Sequence, residues 1–178
     1  FATLDETPLA SGSIGQVYRA TLLTNENVVV KVRRPGIDDT IRMDMQVMTW
    51  LADSLESFVP EVRVYRPRMI VEELHEVLRR ELDYVNEASA TARFGAAFAD
   101  DSTIRIPRVF WELSGQRVLT LESLSGKNIA TALAGPQRGD IDTGLVARRL
   151  ADAFLRQVFE LNLFHADPHP GNILIDPP

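Results

Sequence analysis

FHADPHPGNILI, residues 164–175, sets two histidines, an aspartate and an asparagine between Phe164 and Asn172. His165 and His169 stand four apart, the spacing at which a helix turns two imidazoles to one face as zinc ligands, with Asp167 nearby. Pro168 and Pro170 flank His169 and remove backbone donors, so helical register fails here and the metal reading loses its geometry. A rigid turn between a helix and a strand accounts for both prolines and Gly171. It does not account for an acid and an amide held five residues apart, Asp167 and Asn172.

Composition bounds the classes in which that pair can be read. A chain of 178 residues, 45% apolar and 25% charged, is long enough for one domain or two small lobes around a cleft. Its net charge of −6 argues against nucleic acid as the main partner, because neutralising phosphates needs clustered Lys and Arg. The absence of cysteine excludes disulfides, thiolate nucleophiles and Cys-based zinc sites. No apolar run approaches the roughly 20 residues that span a bilayer. The opening FATLDETPLA lacks the basic and apolar regions of a signal peptide.

Along the chain, SIGQVYRATLLTNENVVVKVRRPG reads as strands, with TNEN as turn chemistry and Pro35–Gly36 as a stop; a three-stranded antiparallel meander is expected. Helical spacing follows from 38 to 58, through Ile41, Met45, Met48, Leu55 and Phe58. A second, long helix is expected from about Arg68 to Phe98 on the stripe Val71, Leu74, Leu78, Leu82, Val85, Ala88 and Ala92. TIRIPRVFWEL and QRVLTLESL read as two strands, ended by Gly126. A third helix runs from about Thr143 to Asn162, and NILI is a short strand. This order predicts an α+β fold with a mixed lobe over 1–122 and a hinge with the start of a helical lobe over 123–178.

The step from Asp167 to Asn172 is the one phosphoryl transfer uses on a protein-kinase-like scaffold. The aspartate orients an acceptor hydroxyl or water and takes its proton, and the asparagine reaches a Mg²⁺ on the nucleotide phosphates. His165 takes the place of that loop's leading histidine, a structural residue. His169 stands where a protein kinase carries a lysine; only a protonated ring could bind phosphate there, so a packing or hydrogen-bonding role is favoured.

The other parts have candidates in the expected order. Lys31, a lone charge in VVVKV, fits the lysine that contacts the α and β phosphates, against the plainer reading of one outward side chain on an alternating strand. Glu81 and Glu87 are its possible ion-pair partners, six apart and so on different parts of a helix surface; either could equally be a solvated charge. Ala10, Ser11, Gly12, Ser13, Ile14, Gly15 and Gln16 form a small-residue turn placed to donate N–H groups to phosphate oxygens. Backbone groups from Glu122 to Leu124 are the candidate adenine contacts.

ASGSIGQVYRA, VVVKVRRPG, ELDYVNEA and FHADPHPGNILI, in this order and spacing, resemble the UbiB/ADCK family of atypical, protein-kinase-like proteins. HADPHPGN alone is shared with aminoglycoside-phosphotransferase-like enzymes; SIGQV and ELDYxxEA are not. The resemblance implies a two-lobed kinase-like fold, binding of ATP or ADP with Mg²⁺, and a role in quinone-lipid metabolism, often ubiquinone biosynthesis. It implies Lys31 as nucleotide lysine, Asp167 as catalytic aspartate and Asn172 as metal ligand. Glu87 is the preferred partner of Lys31, and Glu81 a family-specific contact.

The partners implied are ATP or ADP, lipid or quinone precursors and quinone-biosynthesis proteins. The implied location is the cytoplasmic side, with room for membrane association through segments outside these residues. Two rivals stand beside this reading: a pseudokinase that uses nucleotide to gate lipid or partner binding, and an aminoglycoside-type small-molecule kinase.

Two departures bear on the site. The family's loop is alanine-rich, of the type Ala-Ala-Ala-Ser, whereas Ala10, Ser11, Gly12 and Ser13 stand here. A Lys-x-Gly-Gln extension is expected before Phe1 and an Asp-Phe-Gly aspartate after Pro178, with Asp176 read as a turn residue ahead of it. On that expectation the 178 residues hold an incomplete metal site and do not turn over alone.

Overall fold

The computed structural model describes residues 1–134, 141–163 and 169–176. The fold is α+β, as expected. Two compact units emerge, one of Phe1–Ala92 with Arg108–Ser123, the other of Arg93–Pro107 with Leu124–Pro178. The second takes in residues 93–107, which the sequence reading leaves with the amino-terminal lobe.

The first unit is built on an antiparallel sheet. Strands β3 (Gly15–Thr21) and β4 (Asn27–Arg33) form a hairpin, and β5 (Val118–Glu122) pairs with the far side of β4. The short strands β1 (Thr3–Leu4) and β2 (Ala10–Ser11) pair with opposite ends of β3 on its other edge. The expected three-stranded meander is therefore a two-stranded hairpin whose third member arrives much later in the chain. Its turn closes through the Leu22 N–H to Glu26 carbonyl bond, with Asn25 at φ +64°, a left-handed conformation that asparagine tolerates.

Strand periodicity divides the valines and the lysine between two faces. Val28 and Val30 join Ala20 and Leu22 in one buried cluster, against which Val32, Phe110 and Val118 pack. Val29 and Lys31 take the opposite face, where Lys31 lies in register with Val17 and Leu119, and Val29 with Leu121. Leu119 is fully buried there with Tyr84, Ala88 and Val109.

Pro35 and Gly36, the latter at φ +75°, end β4 and lead into α1 (Ile37–Phe58), which packs on α2 (Pro67–Leu82). The single long helix expected to Phe98 is two helices, because Asp83 is extended (φ −98°, ψ 97°) between α2 and α3 (Tyr84–Ala97). Its carboxylate accepts from the Val85 N–H at 3.0 Å, an N-capping bond that starts a new helix. The Arg33 guanidinium accepts the task of ending the old one, donating to the Leu82 carbonyl at 2.6 Å. The break turns the stripe: Leu82, Tyr84 and Ala88 are buried while Val85 is exposed.

TIRIPRVFWEL is not a strand. Pro107 lacks an N–H, one bridge joins Val109 to Leu121, and Trp111–Leu113 winds into a 3₁₀ turn.

In the second unit, β6 (Lys127–Asn128) pairs with β7 (Leu174–Ile175), next to the short helix α4 (Ile129–Ala134). Gly126, at φ +131°, has the Ile175 carbonyl where a Cβ would come within 3.0 Å, so glycine is required at this crossing. Helix α5 (Thr143–Phe159) starts on Asp142, whose carboxylate accepts from the Leu145 N–H, and it ends before the expected Asn162. The Arg156 guanidinium lies 5.1 Å from the Phe98 ring centroid and 2.6 Å from Asp101, tying α5 to the segment after α3. The Asp101 carboxyl is held below the usual carboxylate range, first by Thr103 and then by Arg156.

Candidate functional site

Lys31 leaves β4 on the face that α3 covers. Its ammonium meets the Glu87 carboxylate at 2.6 Å, both side chains being partly exposed, 34% and 41%. Glu87 stands three residues into α3, so the helix start at Asp83 fixes its height above the sheet. Glu81 lies across the break, exposed in the last turn of α2. The structure thus brings Lys31 together with Glu87 and leaves Glu81 on the other helix. An ion pair this exposed contributes only ~0–1 kcal/mol to folding. Its consequence is placement, since an ammonium carries three N–H donors and one bond to Glu87 leaves it able to donate to another anion.

The small-residue turn is a closed hairpin. Ala10 and Ser11 form β2 and pair with Val17 and Gln16, and the Gly12 N–H donates to the Gly15 carbonyl at 2.9 Å. Ser13 is exposed at the tip, and the Ile14 carbonyl accepts from the Arg34 N–H at 2.8 Å. The Arg34 side chain closes the turn from outside, donating to the Gly12 carbonyl at 3.0 Å and the Ser11 hydroxyl at 2.7 Å. Gln16 accepts from the Tyr18 hydroxyl at 3.1 Å.

The two glycines of this turn differ in what they permit. A Cβ on Gly12 would meet only the Gly15 carbonyl, at an ordinary 3.6 Å. A Cβ on Gly15 would lie 2.2 Å from the Tyr84 hydroxyl oxygen and 2.8 Å from the Val32 carbonyl. Gly12→Ala is accordingly expected to leave the melting temperature unchanged while altering the ratio of ATP to ADP affinity. Calorimetric titration of both nucleotides checks this, and an unchanged ratio refutes it.

Tyr84 and Arg34 escaped the sequence reading. Tyr84 is 1% exposed, and the Lys31 nitrogen sits 4.7 Å from its ring centroid. Burial pushes its phenol above the usual range, and the Glu87 carboxylate adds to the effect. Its position three residues before Glu87 was a usable signal, because residues i and i+3 share a helix face. Arg34 offered none, as its turn contacts are set by the fold.

Glu122 ends β5; its N–H donates to the Arg108 carbonyl at 2.8 Å and its carboxylate accepts from the Arg108 N–H at 3.2 Å. Leu124 begins the next stretch of the second unit and is half-buried. Asn172 closes the 3₁₀ turn Pro170–Asn172, its N–H donating to the His169 carbonyl at 2.8 Å. The His169 Nδ1 accepts from the Gly171 N–H at 3.0 Å, a hydrogen-bonding role within the turn. Asp176 accepts from the Ser125 hydroxyl at 3.4 Å. His165 and Asp167 lie outside the described residues. Among the described residues no three His, Cys, Asp or Glu side chains gather as a metal site. None of their helices is long and apolar enough to cross a membrane.

A family model described as the ABC1 atypical kinase-like domain matches residues 1–178. The chain belongs to that family. It is 38% identical over 99% of its length to the chloroplastic protein ACTIVITY OF BC1 COMPLEX KINASE 7 of Arabidopsis thaliana, of which it covers 25%. It is 36% identical over 98% of its length to a probable protein kinase UbiB of Pseudomonas putida, covering 32% of it. A solved structure, the complex of Rv3197 with erythromycin from Mycobacterium tuberculosis, superposes with a TM-score of 0.82 at 31% identity, over 99% of this chain and 44% of that one. The chain spans about a quarter to a third of the curated relatives it matches. The family resemblance drawn from ASGSIGQVYRA, VVVKVRRPG, ELDYVNEA and FHADPHPGNILI is thereby shown.

Proposed function

We propose that these residues are the nucleotide-handling part of an atypical ATP-dependent kinase or ATPase, which transfers or hydrolyses a γ-phosphoryl group in the service of quinone-lipid metabolism. The observation that carries this is the 2.6 Å contact of Lys31 with Glu87 on the α3 face of β4. A paired, partly exposed ammonium suits the α and β phosphates, which need a positioned cation that stays charged.

The residues fit the phosphates of ATP. Lys31 supplies charge, and the hairpin at Gly12–Ile14, braced by Arg34, offers a small-residue turn that a phosphate can approach. For Mg²⁺ the fit is incomplete among the described residues: the amide oxygen of Asn172 is one hard ligand of the kind the ion accepts, and no acidic cluster accompanies it. In this reading Asp167 positions the attacking hydroxyl or water and accepts its proton. The quinone link rests on the UbiB-named relatives.

ATP turnover by the full-length protein, measured with and without quinone-precursor lipids and membranes, tests the proposal. Turnover stimulated by the lipids is the expected result. Undetectable turnover with intact nucleotide binding would favour the rival reading, a nucleotide-gated binding module. That rival has one observation in its favour, the erythromycin complex formed by the structural neighbour.

A further inference from the structure

Tyr84 does something in the geometry that neither the ion pair nor the core requires of it. Its ring is buried with Ala88, Val109 and Leu119, apolar contacts that Phe would also make. Yet the Lys31 ammonium stands 4.7 Å from the ring centroid, inside the distance at which a cation is attracted to an aromatic face. The same ammonium meets Glu87, one helical turn further along α3. Lys31 is therefore held from two directions by one helix turn, by a carboxylate and by a π-face.

The far end of the ring has a defined seat. Its hydroxyl finds no hydrogen-bond partner among the described residues, and it fits only because residue 15 has no Cβ. The hydroxyl end of the ring thus occupies the space left by the missing side chain of the glycine that starts β3, directly after the small-residue turn.

We propose that Tyr84 is a positioning residue for the nucleotide lysine: its ring, with the hydroxyl end against Gly15, presents the face that holds the Lys31 ammonium at the place where Glu87 meets it. This rests on the nucleotide-binding reading above. A side chain that merely filled the core would influence stability and leave nucleotide affinity to Lys31 and Glu87. A positioning ring acts on affinity through its electrons, with its volume held constant.

Two measurements on the full-length protein separate these. In protein carrying ¹³C-lysine, with the Lys31 signal assigned by its loss in Lys31→Arg, the ε-methylene protons should lie upfield of an exposed lysine through the ring current. They should remain upfield in Tyr84→Phe and return to the ordinary position in Tyr84→Leu. In parallel, ATP affinity is titrated with phenylalanines of increasing fluorination at position 84, which drain the π-face without removing the ring. Affinity should fall stepwise, by about five-fold in total, as in Tyr84→Leu, with Tyr84→Phe keeping most of the native affinity. Melting temperature should stay level across the fluorinated series.

An unshifted Lys31 methylene in the wild type would overturn the proposal. So would an affinity that stays flat across the series in a protein that binds ATP. A wild type that binds no ATP would instead sink the functional reading, and the methylene shift would still decide whether Tyr84 holds the lysine.

Discussion

Lys31→Met in the full-length protein is expected to lower ATP affinity by about a hundred-fold, whereas Asp167→Asn should keep binding and cut turnover. A hydrogen bond to a charged group contributes roughly 1.5–3 kcal/mol. Methionine keeps the apolar stem of Lys31 and deletes the ammonium, which also leaves the Glu87 carboxylate, 2.6 Å away in the native pair, facing incoming phosphates without compensation. That repulsion places the loss near the upper end of the range. Glu87→Gln should be milder, about ten-fold, because the amide oxygen still accepts from the ammonium while its charge is gone.

Stability moves little in either variant, since both side chains are a third or more exposed. The contrast with Asp167→Asn follows from the roles proposed above: a general base acts on the proton in flight and contributes ~10²–10⁴ in rate, not in binding. Titration calorimetry paired with a phosphate-release assay reads both effects. Unchanged ATP affinity in Lys31→Met would remove Lys31 from the site.

Gly15→Ala is the second large effect, and it falls on folding. The new methyl would stand 2.2 Å from the Tyr84 hydroxyl oxygen and 2.8 Å from the Val32 carbonyl. One obstacle is a buried ring and the other is strand backbone, so neither yields cheaply. The expected cost is ~1–3 kcal/mol, the range for overpacking a well-filled interior. Tyr84→Phe in the same chain should recover part of it, because the ring carbon beneath the hydroxyl lies 3.5 Å from the added Cβ. Recovery stays incomplete, as the Val32 carbonyl does not move with the hydroxyl. Urea unfolding of the two single variants and the double variant measures the coupling; strictly additive losses would show that the methyl and the hydroxyl do not meet.

Much of the fold was legible locally. NVVVKVR announces a β-branched strand, Pro35–Gly36 its end, and the spacing after Asp38 a helix that the structure runs from Ile37 to Phe58. The long helix failed at Asp83 for a reason no periodicity carries. Nothing in ELDYVNEA forbids continuous helix; the guanidinium of Arg33, 49 residues earlier, ends α2 at the Leu82 carbonyl, and Asp83 then caps α3. TIRIPRVFWEL has the residue types of a strand, yet it meets β5 at a single bridge before turning away.

Sequence by itself determined the family and the order of the chemical groups, because motif spacing is a property of the covalent chain: small-residue turn, strand lysine, paired glutamates, and the Asp167–Asn172 step. Tertiary structure decided which face of β4 carries Lys31, and it brought Glu87, the partner the resemblance favours, to it across 56 residues. It also decided why residue 15 has no side chain. A strand offers two faces and a helix several, and intrinsic preference does not choose among them. The choice is made where packed elements exclude the alternatives, here where Tyr84 fills the space between Gly15 and Lys31.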